Sequence, residues 1–188
     1  MGKFFNQIEP QHRAFMEAQH IFFTATAPIS PDGRVNLSPK GLNAFRVLDE
    51  QTVGYMDLIS SGNETSAHTR ENGRITFMFC AFDDKPTILR LYGTGRVVLP
   101  GTPDWERYAP HFTIYPSTRQ LIIASIDLVQ TSCGFGVPQY TYTGERDMHF
   151  TWAETKGPDG LEAYLEKNNL VSLDGLMTDW GEAKKVKS

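Results

Sequence analysis

The chain has 188 residues, of which 40% are hydrophobic and 12% aromatic, enough for one domain with a real core and too many for wholesale disorder. A net charge of −4 excludes the basic footprint of a nucleic-acid binder, and the basic cluster in the terminal "EAKKVKS" reads as a solvated tail. No apolar run approaches a membrane span, and "MGKFFNQIEPQHRAFMEAQHIFF" lacks the apolar segment of a signal peptide, so the chain reads as soluble and cytoplasmic.

In chain order, "IEPQHRAFMEAQHIFF" predicts a short helix with Ile8, Phe15 and Met16 near one face and Pro10 in its first turn. "IFFTATA" reads as a strand, Pro31-Asp32-Gly33 as a turn, and "RVNLS" as a short strand after it. "QTVGYMDL" is a strand and residues 62–72 are a helix. "RITFMFCAF" is apolar on both faces and so belongs at the centre of a sheet, with Cys80 in it as a small buried hydrophobe. "TILRLYGTGRVVL" is a long strand whose glycines at 93 and 95 predict a bend or bulge. "TPDWERYAPHF" is a short helix capped by Thr102 with Pro103 in its first position. "QLIIASIDLVQTS" is a further strand, and "GPDGLEAYLEKNN" a helix with Leu161, Tyr164 and Leu165 as its apolar stripe. About six short-spaced strands with small helices between them predict a mainly antiparallel barrel rather than a doubly wound sheet.

Four stretches carry candidate chemistry. In "SSGNETSAHTREN", Ser61 and Glu64 have capping-box spacing, which alone explains a polar helix start. Yet Ser60, Ser61, Asn63, Thr65 and Ser66 crowd one helix mouth with His68 a turn on, and such a mouth also suits a phosphate, with Glu64 counting against it. In "NLSPKG", Ser38 and Lys40 are either a surface turn or an anion-facing pair. In "LRLYG", Arg90 shares a strand face with Tyr92, as a surface residue or as a donor lining a cleft. "VQTSCGFGVP" places Gln130, Thr131 and Ser132 at a strand end, suited to a heterocycle or to a plain turn. The two cysteines, Cys80 and Cys133, and the five histidines show no metal-ligand spacing, and no G-x-S-x-G, GxGxxG or Walker loop occurs.

Taken in order, "RVNLSPKG", "SSGNETSAHTRENGRITFMFCAF" and "ILRLYGTGRV" resemble the pyridoxamine 5′-phosphate oxidase-like family of FMN-binding split barrels. The resemblance runs over roughly residues 12–135, is densest from Tyr55 to Val97, and extends to "SCGFGVP" and "YTGERD". It implies a mainly β, Greek-key split barrel with a few short peripheral helices, over residues 1–150, followed by a helical extension over 151–188. It implies FMN as cofactor, its phosphate held by Lys40 and Ser38 opposite Ser60, Ser61, Asn63, Thr65 and His68, with Arg90, Gln130 and Ser132 near the ring. It also implies a homodimer with each flavin at the subunit interface, where Trp152 comes from the partner chain.

Two departures qualify the function. Glu64 and Thr65 stand where the oxidase has an arginine–lysine pair, so the phosphate is less neutralised. The terminal "MTDWGEAKKVKS" does not match the oxidase's substrate-binding strand. The expectation is therefore an FMN-dependent oxidoreductase of unassigned substrate, with no catalytic acid or base named. The alternatives are a non-catalytic module that takes up flavin or haem, and a true pyridoxamine 5′-phosphate oxidase.

Overall fold

A computed structural model describes residues 2–186. Eight antiparallel strands form one curled sheet: β1 (Lys3–Phe5), β2 (Phe22–Thr26), β3 (Asn36–Lys40), β4 (Phe45–Val47), β5 (Thr52–Leu58), β6 (Arg74–Cys80), β7 (Thr87–Val98) and β8 (Thr118–Cys133). Their order is β3-β2-β6-β7-β8-β5-β4, with β1 paired to β8 beyond the end of β5. This is the expected half-barrel. β1 and β4 escape the sequence reading because three residues carry too little alternation to register.

The inward faces of β2, β5, β6, β7 and β8 bury Phe22, Tyr55, Phe77, Phe79, Leu89, Leu91, Leu121 and Ile122. Phe22 anchors an aromatic cluster, 5.0 Å from Phe45, 5.5 Å from Phe79 and 5.6 Å from Tyr55 between ring centroids. β6 is internal to the sheet, as its double-faced apolar pattern predicts, and Cys80 is buried. β7 shifts register between Tyr92 and Gly93. Gly93 is required there, because a Cβ would collide with the Ser125 carbonyl oxygen.

Helix α1 (Pro10–Glu17) precedes β2, and α2 (Glu64–Asn72) packs against β2, β6 and β7. Gly73, at a left-handed φ of 74°, closes α2 with its N–H on Thr69 O. Helix α3 (Pro103–Tyr108) starts as expected: Thr102 Oγ1 accepts from Trp105 N at 3.2 Å.

The capping box at α2 does not form. The helix begins two residues later than Ser61 would require, with Asn63 at the cap and no side-chain bond to the helix amides. The Asn63 side chain turns instead to Gln120 and Asn169, and Glu64 accepts from Leu173 N. Buried polar partners supplied by distant chain outcompete a local cap.

Helix α4 (Met148–Asn168) is two helical pieces joined at Gly157, where φ is 63° and Pro158 follows. Only the second piece was legible in sequence. Ala153, Leu161 and Leu165 build a second core on Ile59, with Trp152, Tyr164, Leu170 and Trp180 against it. Trp152 is half-buried against this second core. The basic terminus is not wholly a solvated tail. Helix α5 (Asp179–Lys185) runs through it, and Lys184 bridges Glu162 at 2.8 Å and Glu166 at 2.7 Å. Lys187 and Ser188 lie outside the described residues.

Gly93→Ala should cost about 2–3 kcal/mol by steric clash, a fall of roughly 5–10 °C in Tm. Gly136→Ala, where a Cβ meets nothing within 4 Å, should leave Tm unchanged. Equal melting temperatures for the two variants would contradict the bulge geometry.

Candidate functional site

Asp57 is 1% exposed near the end of β5, and a carboxylate so buried stays charged only if it is paired. Its pairing organises the region. Lys40 Nζ, from the end of β3, lies 2.7 Å from Oδ1. Arg119, from the start of β8, places Nε and Nη2 each 2.9 Å from Oδ2. Gln120 Nε2 donates to the same oxygen at 2.9 Å. Burial pushes the Asp57 carboxyl upward, but Arg119 and then Lys40 outweigh it and bring the pKa down to about 2. Two cations face this one carboxylate: Arg119 is buried, and Lys40, the more exposed of the two, reaches the cleft rim.

Period-2 alternation puts Asn36, Ser38 and Lys40 on one face of β3, opposite Thr26, Thr24 and Phe22 of β2. Ser38 Oγ donates to Asn36 Oδ1 at 2.9 Å, and Asn36 Nδ2 reaches Thr26 Oγ1 and Thr65 Oγ1, each at 3.2 Å. Thr26 Oγ1, which accepts from Asn36, also shares a hydrogen bond of 3.0 Å with His68 Nδ1. Burial lowers the His68 pKa and keeps the imidazole neutral.

Among the described residues, four buried side-chain atoms lack a hydrogen-bond partner: Thr24 Oγ1, Tyr55 Oη, His68 Nε2 and Gln120 Oε1. All four belong to this polar region. Tyr55 Oη interacts with the Thr65 and Thr24 hydroxyls without the geometry of a full bond, and burial raises its pKa well above the usual range. The Lys40 ammonium stands 5.4 Å from the Tyr55 ring centroid.

The α2 mouth is not an open anion seat. Asn63, Thr65, Ser66 and His68 are buried. Asn169 and Asp179 of the C-terminal segment lie over it, Asn63 Nδ2 reaching Asn169 O at 3.2 Å and Ser66 Oγ meeting Asp179 Oδ2 at 3.0 Å. Ser60 is exposed and its hydroxyl donates to Gly62 O, while Ser61 also lies at the surface. The structure therefore brings together Ser38, Lys40, Thr65 and His68, but not Ser60 and Ser61.

Arg90, Gln130 and Ser132 form a separate group on β7 and β8. Arg90 pairs with Gln130 in register, Arg90 Nη1 lies 3.4 Å from Ser132 Oγ, and Tyr92 Oη donates to Gln130 Oε1 at 2.9 Å. Register places Pro39, Phe23, Met78, Arg90, Gln130 and Phe4 in one row across the outer face. Lys40 lies in the adjacent core-facing row, beside Phe22.

A cleft of about 1060 Å³ opens beside Lys40 and the Phe23–Pro39 end of the outer row; Arg90, Gln130 and Ser132 do not line it. Ile21, Phe23 and Pro39 line one side, Lys40 through Leu42 its rim, and residues 140–146 with His149 its far wall. His20 and Tyr142 stack there, centroids 3.6 Å apart at 4° between planes. Leu42 and Asn43 hold left-handed φ of 58° and 51°, and Leu42 N donates to Glu145 Oε2 at 3.3 Å. Such conformations in non-glycine residues persist only where surroundings enforce them. Asp57, Arg119, Gln120 and Asn169 went unnoticed in sequence. The available signal was an acid inside the apolar strand "VGYMDL" and an arginine just before "LIIASI".

Comparison with known proteins adds the following. The family model described as pyridoxamine 5′-phosphate oxidase matches residues 8–133. The pyridoxamine 5′-phosphate oxidase family protein ustO of Aspergillus flavus is 42% identical over 206 aligned residues, spanning 97% of this chain and 82% of its own length. HupZ of Group A Streptococcus superposes with a TM-score of 0.52 at 18% identity, over 66% of this chain and 99% of its own, which shows a shared fold.

The folded Asp57 pKa lies below its ordinary 3.8, so its contribution of about 2 kcal/mol is complete above that value and is lost as pH falls toward about 2. Asp57→Asn should cost roughly 3–5 kcal/mol at neutral pH by stranding buried cations, and should flatten the acid limb below pH 4. A second loss should begin below the ordinary histidine value of 6.5, because burial lowers the pKa of His12, His68 and His149, and protonation therefore favours the unfolded chain. Urea denaturation across a pH series checks both. An acid limb identical in wild type and Asp57→Asn would refute the assignment.

Proposed function

The chain belongs to the pyridoxamine 5′-phosphate oxidase family, and on that premise we propose that it is a cytoplasmic, homodimeric FMN-binding oxidoreductase with a substrate other than a vitamin B6 phosphate. The observation that carries the reading is the cleft, where an aromatic and apolar floor meets a rim that carries the Lys40 ammonium and the Arg146 guanidinium beside the Asp83 and Glu145 carboxylates. That combination fits a flat ring system with an anionic tail. No helix among the described residues is long and apolar enough to cross a membrane.

In this reading Lys40 and Ser38 hold the phosphate, and Phe23 and Met78 carry the ring along the outer face toward Arg90, Gln130 and Ser132. Arg90 lies two strands from Phe23, roughly 10 Å at ordinary strand spacing, so one ligand spans both groups. The exposed Phe4 and half-buried Phe23 and Met78 make this outer face the surface on which a second chain packs. Bound FMN supplies hydride or electron transfer. The protein supplies orientation, exclusion of water and charge. A cationic Arg90 at the ring favours the form of the ligand carrying more negative charge.

A second reading, a non-catalytic flavin- or haem-binding module, is favoured by one feature: Lys40 is already engaged by Asp57, which weakens its grip on a phosphate. Turnover with NADH or NADPH separates the two, since a carrier has none.

The visible absorption spectrum of purified protein, taken before and after addition of FMN and desalting, should retain flavin bands; their absence at high added FMN removes the proposal. Lys40→Met should weaken FMN binding about tenfold or more, through loss of one charge-assisted bond, and leave riboflavin unaffected. Arg90→Leu should lower the reduction potential of the bound flavin, and an unchanged potential would place Arg90 elsewhere.

A further inference from the structure

Asn169 follows α4 and is fully buried. Asparagine after a helix is often chosen for its tolerance of left-handed backbone, but φ here is −125° and ψ 4°, so that reason is absent. Its polar groups account for it. The backbone N–H donates to Leu165 O at 2.8 Å, and the carbonyl accepts from Asn63 Nδ2 at 3.2 Å and lies 2.8 Å from Thr178 Oγ1. Oδ1 accepts from Arg119 Nη1 at 2.8 Å, and Nδ2 donates to Ser60 O at 2.8 Å. Arg119 Nη1 also reaches Gly62 O at 2.7 Å, and its backbone carbonyl accepts from Trp180 Nε1 at 3.0 Å.

We propose that the C-terminal segment is a positioning element for anion binding at the rim: Asn169 fixes the Ser60–Asn63 loop and the Arg119 guanidinium, Arg119 fixes Asp57, and Asp57 holds the Lys40 ammonium at the cleft. The inference rests on the reading that Lys40 takes the anionic end of the ligand.

Each link is a short contact of 2.7–2.9 Å; those at Arg119 and Asp57 are buried, and only Lys40 at the end of the series reaches the surface. Gln120 adds a cross-link, donating to both Asp57 Oδ2 and Asn63 Oδ1, so the β5 end, the loop and the β8 start move as one. The segment is in turn clamped from outside. Arg34 pairs with Asp174, Arg34 N donates to Asp174 Oδ2 at 2.7 Å, and Arg70 Nη2 lies 3.2 Å from Glu182. These contacts tie it to the β2–β3 turn, which leads into the strand carrying Ser38 and Lys40, and to α2, which carries Thr65. The pairing of Arg119 with Asp57 also depends on residue 169 being a neutral amide. A carboxylate there would compete with Asp57 for Arg119 and would lose the bond that Nδ2 donates to Ser60 O.

The test uses the full chain, with inorganic pyrophosphate as the anion probe and Tm as the readout. Pyrophosphate should raise the Tm of wild type. Asn169→Asp should abolish that rise, and Asp174→Asn, which loosens the segment from its surface clamp without touching the buried network, should reduce it. FMN affinity should fall about tenfold in Asn169→Asp, by loss of one charged contact, with riboflavin affinity unchanged. An equal pyrophosphate response in wild type and both variants overturns the proposal, as does the absence of any response in wild type. Parallel loss of FMN and riboflavin binding also overturns it, because that marks a merely structural role. Should Asn169→Asp fail to fold, Asp174→Asn decides alone. Stabilisation of wild type by pyrophosphate, abolished in Asn169→Asp, without binding of either flavin would uphold the positioning role and remove the flavin reading.

Discussion

A carboxylate buried where two strands, a loop and the C-terminal segment converge is the constraint from which the rest of this molecule follows. Asp57 remains ionised because Arg119 and Lys40 hold it, and each of those cations needs a backbone to deliver it. β8 begins where it does so that Arg119 and Gln120 face Asp57, and β3 ends with Lys40 reaching across from the opposite edge. Replacing such a cluster with apolar residues would often cost nothing in stability. Its value lies in position: it sets one ammonium at the mouth of a cleft.

The sheet uses its two faces for different work. One face is a packed aromatic core that gives the barrel its rigidity. The other, along Phe23, Met78, Arg90 and Gln130, is half-exposed and mixes apolar surface with donors. The cleft sits where these faces meet at the β2–β3 edge, and its far wall is a stretch without regular structure, residues 140–146. A rigid floor with an adaptable wall is a common way to combine precise charge placement with tolerance of ligand shape. Helix α2, which a local reading assigns to the ligand, serves chiefly to join the C-terminal segment to the barrel.

Most of the fold was legible. The long strands announced themselves by period, β6 by apolarity on both faces, the bulge in β7 by its glycines, and α3 by Thr102 and Pro103. What escaped was short or interrupted: β1, β4, and the first piece of α4, which Gly157 and Pro158 hide. The candidate site was half legible. Ser38, Lys40, Thr65 and His68 do converge, and Arg90 does meet Gln130 and Ser132. Ser61 and Glu64 had capping-box spacing, yet the cap went unused because Asn63 found better partners 57 and 106 residues away.

By itself, then, the sequence determined the family, the antiparallel half-barrel and the identity of the donors available to a ligand. Those are properties of local pattern: hydrophobic period, turn chemistry and a characteristic order of short motifs. Only the tertiary structure decided which donors face one another. Asp57, Arg119 and Asn169 are separated by 62 and 50 residues and share no spacing rule. They are selected by the requirement that every buried charge and amide find a partner, and that requirement acts only once the sheet has closed and the C-terminal segment has folded back over α2.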